Sequence, residues 1–286
     1  LLLKLARESG VKIRLGCKVT SINPETPSVT LASGEVIRGD VVVGADGDRS
    51  VVRDTVLGYH DAGIHRGFGV FVSLIPISRM QDDPELKAMA NSPQVRLGPE
   101  RIVFGVSLKN AGYYGFFLIH PSDEPNTDED WNTDDDVERI KKHIEGWDPK
   151  LMKLAELVER TTDVKLVQRN PYDNWVHEDG RVVLVGDACH PMPAHAVQKL
   201  AMAVEDAAVL GNLFSRLESR DNIMFMLQAY QELRQSRCNY VQADEEVKHV
   251  CQTMREGTEE DLEERDEELR EKYLSKDITP EQFEEL

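Results

Sequence analysis

The strongest constraint on what this chain can fold into is a pair of short β-branched apolar runs, each ending in a glycine–aspartate turn. Val41-Val42-Val43 leads into Gly44-Ala45-Asp46-Gly47, and Arg181-Val182-Val183-Leu184-Val185 leads into Gly186-Asp187. Continuous apolar strands of this kind belong to parallel sheets covered on both faces, and ligands of open α/β sheets bind at the carboxyl ends of such strands. The two runs are far apart in the chain, yet they are predicted to lie in one sheet and to converge on one ligand.

The remaining pattern fills in around them. Leu1 to Gly10 reads as the last turns of a helix ending at a glycine. Val11, Ile13, Leu15, Cys17 and Val19 alternate as a strand would, followed by a hairpin of Ser28 to Leu31 and Glu35 to Ile37 across Ser33-Gly34. A helix is predicted from Ser50 through Val56. Between Gly67 and His120 the signals are those of strands, at Phe68 to Ile75, Gln94 to Leu97, Ile102 to Leu108 and Tyr113 to Ile119, which implies an antiparallel sheet inserted into the α/β domain. Ser122 to Asp136 reads as a polar, acidic loop, with helical segments at Val137 to Ile144 and Lys150 to Arg160 and a strand at Val164 to Val167. Beyond Asp187 a helix from Leu200 to Leu217 presents Leu200, Ala203, Val204, Ala207, Ala208 and Leu210 as a broad face for burial, and Ile223 to Val241 forms another helix.

Composition narrows the function classes. With 52 acidic and 34 basic residues the net charge is −18, which argues against a nucleic-acid partner. No run approaches the roughly 18 apolar residues that span a bilayer, and Leu1 to Ala6 is interrupted too soon by Arg7 and Glu8 to be a secretory signal. The chain is therefore read as soluble and cytoplasmic, with the oligomeric state open. Cys17, Cys189, Cys238 and Cys251 stand far apart with no C-x-x-C pair, so reduced thiols are expected, with neither a metal site nor a disulfide framework.

The two turns carry the chemistry. In Val43-Gly44-Ala45-Asp46-Gly47-Asp48-Arg49-Ser50-Val51-Val52-Arg53, the glycines allow a sharp turn at a strand end, and N–H groups at the Ser50 helix start are available to a phosphate. In the second, Asp187 stands where a carboxylate can accept hydrogen bonds from sugar-like hydroxyls. His190, beside Pro191, reads as a packed and hydrogen-bonded histidine rather than a catalytic one.

In these blocks the chain resembles the flavoprotein aromatic hydroxylases of the para-hydroxybenzoate hydroxylase fold, especially the salicylate-hydroxylase-like branch. The matching blocks are Leu2 to Val19, the "DG" motif at Asp46-Gly47, and the "GD" motif at Gly186-Asp187 running into Glu205-Asp206-Ala207. The resemblance covers roughly Leu1 to Tyr240. It implies an α/β fold with an incomplete FAD-binding Rossmann-like domain, an inserted mixed or antiparallel substrate-side sheet, and C-terminal helices. Residues 1–58 and 164–220 would be the partial FAD-binding domain, 59–163 the sheet domain, and 221–286 a C-terminal helical region with an acidic tail.

Residue by residue, the resemblance implies that Asp187, beside Gly186, binds the ribityl chain of FAD, and that the backbone of Gln198, Lys199 and Leu200 lies against the flavin ring. Asp46-Gly47 would sit near the pyrophosphate and take part in NAD(P)H use, and Val19 would lie near the adenine. The reaction implied is hydroxylation of a small aromatic substrate with O₂, with NAD(P)H as electron donor. The cofactor carries that chemistry, so no catalytic side chain is named.

Two departures from the family pattern bear on function. The G-x-G-x-x-G loop that opens such proteins and holds the pyrophosphate does not occur in the sequence, so an N-terminally truncated chain is expected. Lys199 stands where the family has glycine, with Ala194 replacing a proline nearby; a side chain there intrudes on the space of a flat ring, so weakened FAD binding is expected. The alternative is a non-catalytic relative serving as a scaffold or interaction module.

The tail sets its own expectation. Glu256 to Leu286 holds fourteen acids and four bases and offers few apolar side chains to bury. Its deletion should leave the melting temperature of the chain nearly unchanged in a thermal unfolding experiment; a large drop would show that the tail docks on the core.

Overall fold

A computed structural model describes residues 1–98, 100–122, 134–135, 137–178, 180–192 and 198–242. In chain order the elements are α1 (Leu2–Glu8), β1 (Val19–Asn23), β2 (Ser28–Leu31), β3 (Val36–Arg38), β4 (Val42–Gly44), α2 (Val51–Leu57), β5 (Ile64–Pro76), α3 (Pro84–Met89), β6 (Gln94–Gly98), β7 (Arg101–Leu108), β8 (Tyr113–Pro121), β9 (Asp134–Asp135), α4 (Val137–His143), α5 (Pro149–Ala155), β10 (Thr161–Gln168), β11 (Val182–Leu184), α6 (Lys199–Phe214) and α7 (Ile223–Gln242). Ala194 and the acidic tail fall outside the described residues, as does most of the Ser122 to Asp136 loop. The described chain forms two units, one from Leu1–Ile64 with Val167 onward and one from His65–Leu166.

The first unit contains the predicted strand pair. β4 and β11 run parallel, with Val42 opposite Val182, Val43 opposite Val183 and Gly44 opposite Leu184. This register sets the two glycine–aspartate turns side by side, and the Val185 N–H donates to the Gly44 carbonyl at 2.9 Å. Gly44 is required by close packing: a Cβ there would lie 2.6 Å from the Val52 Cβ on α2. β1, β2 and β3 form a separate antiparallel sheet in that order.

Three expectations fail in this unit. Residues 11–18 are not a strand, and Val11 and Leu15 are exposed, because alternation alone supplies no partner edge. Val43 is 45% exposed, so β4 is covered less fully than a strand in the middle of a doubly covered sheet. On α6 only Met202 and Asp206 are buried, while Leu200 and Val204 are 73% and 53% exposed. The apolar stripe is present, but among the described residues nothing covers this part of it.

What closes the first unit is a buried ionic node. Asp206 on α6 is fully buried and accepts from the Gly186 N–H at 2.9 Å, His190 Nε2 at 2.6 Å and Arg234 Nε of α7 at 2.9 Å. The Tyr230 hydroxyl of α7 donates to the Leu184 carbonyl at 3.1 Å, which fastens the same helix to β11. Around the node Trp175, Val182, Val183, Leu184, Met202 and Leu227 form the apolar core.

The second unit is a six-stranded sheet in the order β6-β7-β8-β5-β10-β9. β5 pairs antiparallel with β8, β8 with β7, and β7 with β6, which matches the strands expected between Gly67 and His120. Alternation divides the side chains between two faces. Phe71, Ile75, Phe116 and Leu118 pack with Leu86, Ile140, Leu151 and Leu154 of the helices. Val70, Ile102, Ile119 and Leu166 gather the half-buried Phe68, Phe104 and Phe117 in a separate cluster. Under the helices lies a polar group in which Asp163 accepts from His120 at 3.1 Å and from Lys165 at 3.0 Å. Burial raises the Asp163 pKa, but these two donors outweigh it and bring it down to about 2.

The ionic node makes stability depend on pH in a definite direction. Burial raises the Asp206 pKa, yet His190, Arg234 and the Gly186 N–H outweigh it and the net shift is down. Burial lowers the His190 pKa, and its bond to Asp206 reverses the sign so that the net shift is up. The Asp206 contribution is present above about pH 4 and is lost as pH falls through the depressed folded value. The His190 contribution is complete below about pH 6.5 and is lost as pH climbs toward the raised folded value. Asp206→Asn should cost about 3–5 kcal/mol in denaturant unfolding, because it leaves Arg234 and His190 without their anion. His190→Gln should flatten the decline in stability above about pH 6.5.

Candidate cofactor site

Each of the two turns uses its aspartate differently. Asp46 turns back on its own helix: Oδ1 accepts from Ser50 Oγ at 2.5 Å, and Oδ2 accepts from the Val51 and Val52 N–H groups at 2.8 and 3.2 Å. The Ser50 Oγ in turn accepts from the Arg53 N–H at 2.8 Å. The donors at the start of α2 that the sequence offered to a phosphate are therefore already satisfied within the chain, because a carboxylate four residues before the N-cap reaches them first. Gly47 follows at φ +80°, and a Cβ at that position would meet nothing within 4 Å.

Asp187 stands at the carboxyl end of β11 in a short 3₁₀ turn, Gly186–Ala188. Gly186 adopts φ +61°, the left-handed conformation that glycine takes without penalty, and is tied to Asp206. The Asp187 side chain is about a quarter exposed, and its Oδ2 lies 2.8 Å from Lys199 Nζ at the first residue of α6. Lys199 also donates to the Met192 carbonyl at 3.2 Å. Gln198 is the N-cap residue and is exposed, as is Leu200. The structure thus brings Gly186, Asp187, Gln198, Lys199 and Leu200 together, with Asp46 and Gly47 at the neighbouring strand end. Val19 opens β1 in the antiparallel sheet rather than at the paired strand ends.

Arg53, the last residue of the first motif, had no role legible in the sequence, and it links the two turns. It is 1% exposed, donates through Nη2 to the Asp48 carbonyl at 2.5 Å and through Nη1 to the Ala188 carbonyl at 3.5 Å, and lies over the Tyr172 ring. An arginine among Val51, Val52 and Val56 was a readable signal, since a buried cation demands partners. A second arginine, Arg169, donates to Asp48 at 2.6 Å, while the Tyr172 hydroxyl donates to Asp61 at 2.5 Å. Burial raises the Tyr172 pKa and Asp61 raises it further. Arg169, Tyr172 and Asp61 line a cavity of about 270 Å³. No sequence pattern pointed to this network.

His190 matches its expected packed role. Cys189, His190 and Asp206 place three possible ligand atoms within 4.8 Å of one another. The Asp206 carboxylate, however, already holds the Arg234 guanidinium, and burial pushes the Cys189 thiol up to about 11, so the trio disfavours a cation.

Residues 1–245 match the family described as FAD binding domain. The FAD-dependent monooxygenase ntnJ of Nectria sp is 31% identical over 248 residues, which cover 85% of this chain and 58% of the relative. The 6-hydroxynicotinate 3-monooxygenase of Bordetella bronchiseptica is 28% identical over 232 residues, 79% of this chain and 57% of that protein. The chain thus spans under two-thirds of the length of these relatives. Among solved structures, a salicylate hydroxylase substrate complex aligns with a TM-score of 0.75 at 22% identity, over 96% of this chain and 71% of that one. Paired glycine–aspartate turns, an inserted antiparallel sheet and a family match across most of the sequence lead to one conclusion: the chain belongs to the FAD-binding domain family, alongside FAD-dependent monooxygenases.

Proposed function

We propose that the chain is the larger part of an FAD- and NAD(P)H-dependent monooxygenase that hydroxylates a small aromatic substrate. The observation that carries this reading is Asp187, held at the end of β11 by the Gly186–Asp206 bond and facing the first turn of α6. A carboxylate so placed suits a polyol, and the exposed Leu200 beside it suits one face of a flat ring. The open space at Gly47 suits a close-lying chain. At the start of α2 the fit is poorer, since Asp46 occupies the donors there. Asp187 and the backbone of Gln198 to Leu200 would hold the cofactor, with Asp46-Gly47 alongside and Val19 on the adenine side.

When bound, FAD supplies the electron transfer and oxygen activation of the reaction. In the net change one atom of O₂ enters a ring C–H bond and the other leaves as water, with two electrons from NAD(P)H and one proton from solvent. The protein's own share is binding, orientation and exclusion of water. Within the second unit, the sheet face opposite the helices carries the half-buried Phe68, Phe104 and Phe117.

A second reading, a non-catalytic relative used as a scaffold, is favoured by the Lys199 ammonium resting on Asp187. The two separate on purification. The monooxygenase reading predicts flavin absorbance in protein supplied with FAD, and NAD(P)H oxidation that yields an aromatic product one oxygen heavier by mass spectrometry. Asp187→Asn should weaken FAD affinity roughly ten- to a hundredfold, the loss of about one hydrogen bond to a charged group. Protein that takes up no flavin under any condition would favour the scaffold.

A further inference from the structure

Lys199 is where the sequence departs from the family pattern, and the structure shows where its charge goes. The side chain folds back from the first residue of α6 instead of extending into solvent. Its Nζ reaches Asp187 Oδ2 at 2.8 Å and the Met192 carbonyl at 3.2 Å, so two of its three donors are engaged across the mouth of the turn. Neither partner is deeply buried: the side chains of Lys199 and Asp187 are 29% and 26% exposed. An ion pair at that exposure is weak and is screened by salt. Asp206, by contrast, is sealed in the core with Arg234 and His190, so the node beneath the turn stays fixed while the pair above it can open.

We infer that Lys199 and Asp187 form an electrostatic latch at the proposed cofactor site, which FAD must open to bind. The ammonium occupies the carboxylate oxygen to which the flavin's polyol hydroxyls would donate, and binding exchanges one set of donors for the other. The inference rests on the proposed role of Asp187 as a flavin contact. Because the competitor is a charge, the latch differs from simple crowding by a side chain: its effect depends on ionic strength and on the carboxylate, and not on volume alone. Lys199→Met, which keeps the stem and removes the charge, separates the two.

The test is FAD titration into the purified full chain, followed by quenching of flavin fluorescence, for wild type, Lys199→Met, Asp187→Asn and the double variant, in low and high salt. Thermal melts of each form establish that it is folded. At low salt Lys199→Met should bind FAD about two- to fivefold more tightly than wild type, the strength of an exposed ion pair expressed as affinity. The gap should shrink in high salt and vanish when Asp187 is Asn. A second readout is amine acylation of Lys199 followed by mass spectrometry, in which saturating FAD should raise its labelling in the wild type. Equal or weaker binding by Lys199→Met, a gap that ignores salt, no saturable binding by any form, or unchanged Lys199 labelling on flavin binding would each overturn the latch. The underlying role of Asp187 fails separately: it is lost if Asp187→Asn, made in the Lys199→Met background, leaves FAD affinity unchanged.

Discussion

The first unit depends on a single buried carboxylate. Asp206 sits on α6, and its three donors come from the GD turn, from His190 just beyond that turn, and from α7. Isolated, such a charge would be too costly to bury; surrounded by an arginine, a histidine and a backbone N–H, it becomes the point through which β11, α6 and α7 hold a common geometry. The left-handed Gly186 is part of this arrangement, since its N–H is aimed at Asp206 while the next residue, Asp187, is left at the surface. Asp206 is thus taken up entirely by structure, while Asp187 stays partly exposed and meets Lys199.

The DG turn solves the same problem in the opposite way. Asp46 satisfies the start of α2, and Arg53 passes beneath the turn to reach the Asp48 and Ala188 carbonyls. The turns are thus coupled twice, by the β4–β11 register above and by a buried guanidinium below. Arg169 and Asp48 extend that coupling toward Asp61 and Tyr172. A base so tied together under a partly exposed Asp187 suits the cofactor-orienting role proposed for that residue.

Much of this was legible in the sequence, and the parts that were not share a cause. The β4–β11 pair could be read because β-branched runs ending in Gly-Asp leave few other arrangements. The four strands expected between Gly67 and His120 were found with only their ends moved, whereas β9 falls in a stretch read as a polar loop. The failures are those where a local pattern needs a distant partner. Residues 11–18 alternate but meet no edge, and the apolar stripe through Leu200 and Val204 predicts a face without showing what covers it. The donors at α2 looked free because periodicity does not reveal that Asp46 bends back to them. The partnership of Asp206 with Arg234 links two helices through side chains alone, and the sequence pattern carries no trace of it.

The central claim is that Asp187, positioned from below by Asp206, is the chain's contact with the flavin. The most direct measurement is a crystal structure of the chain grown in the presence of FAD. The account predicts flavin density at the carboxyl ends of β4 and β11, with polyol hydroxyls within hydrogen-bond distance of Asp187, the Lys199 ammonium displaced from it, and the Asp206 node unmoved. Flavin bound elsewhere, or bound at these strand ends with the Lys199–Asp187 pair intact, would contradict it.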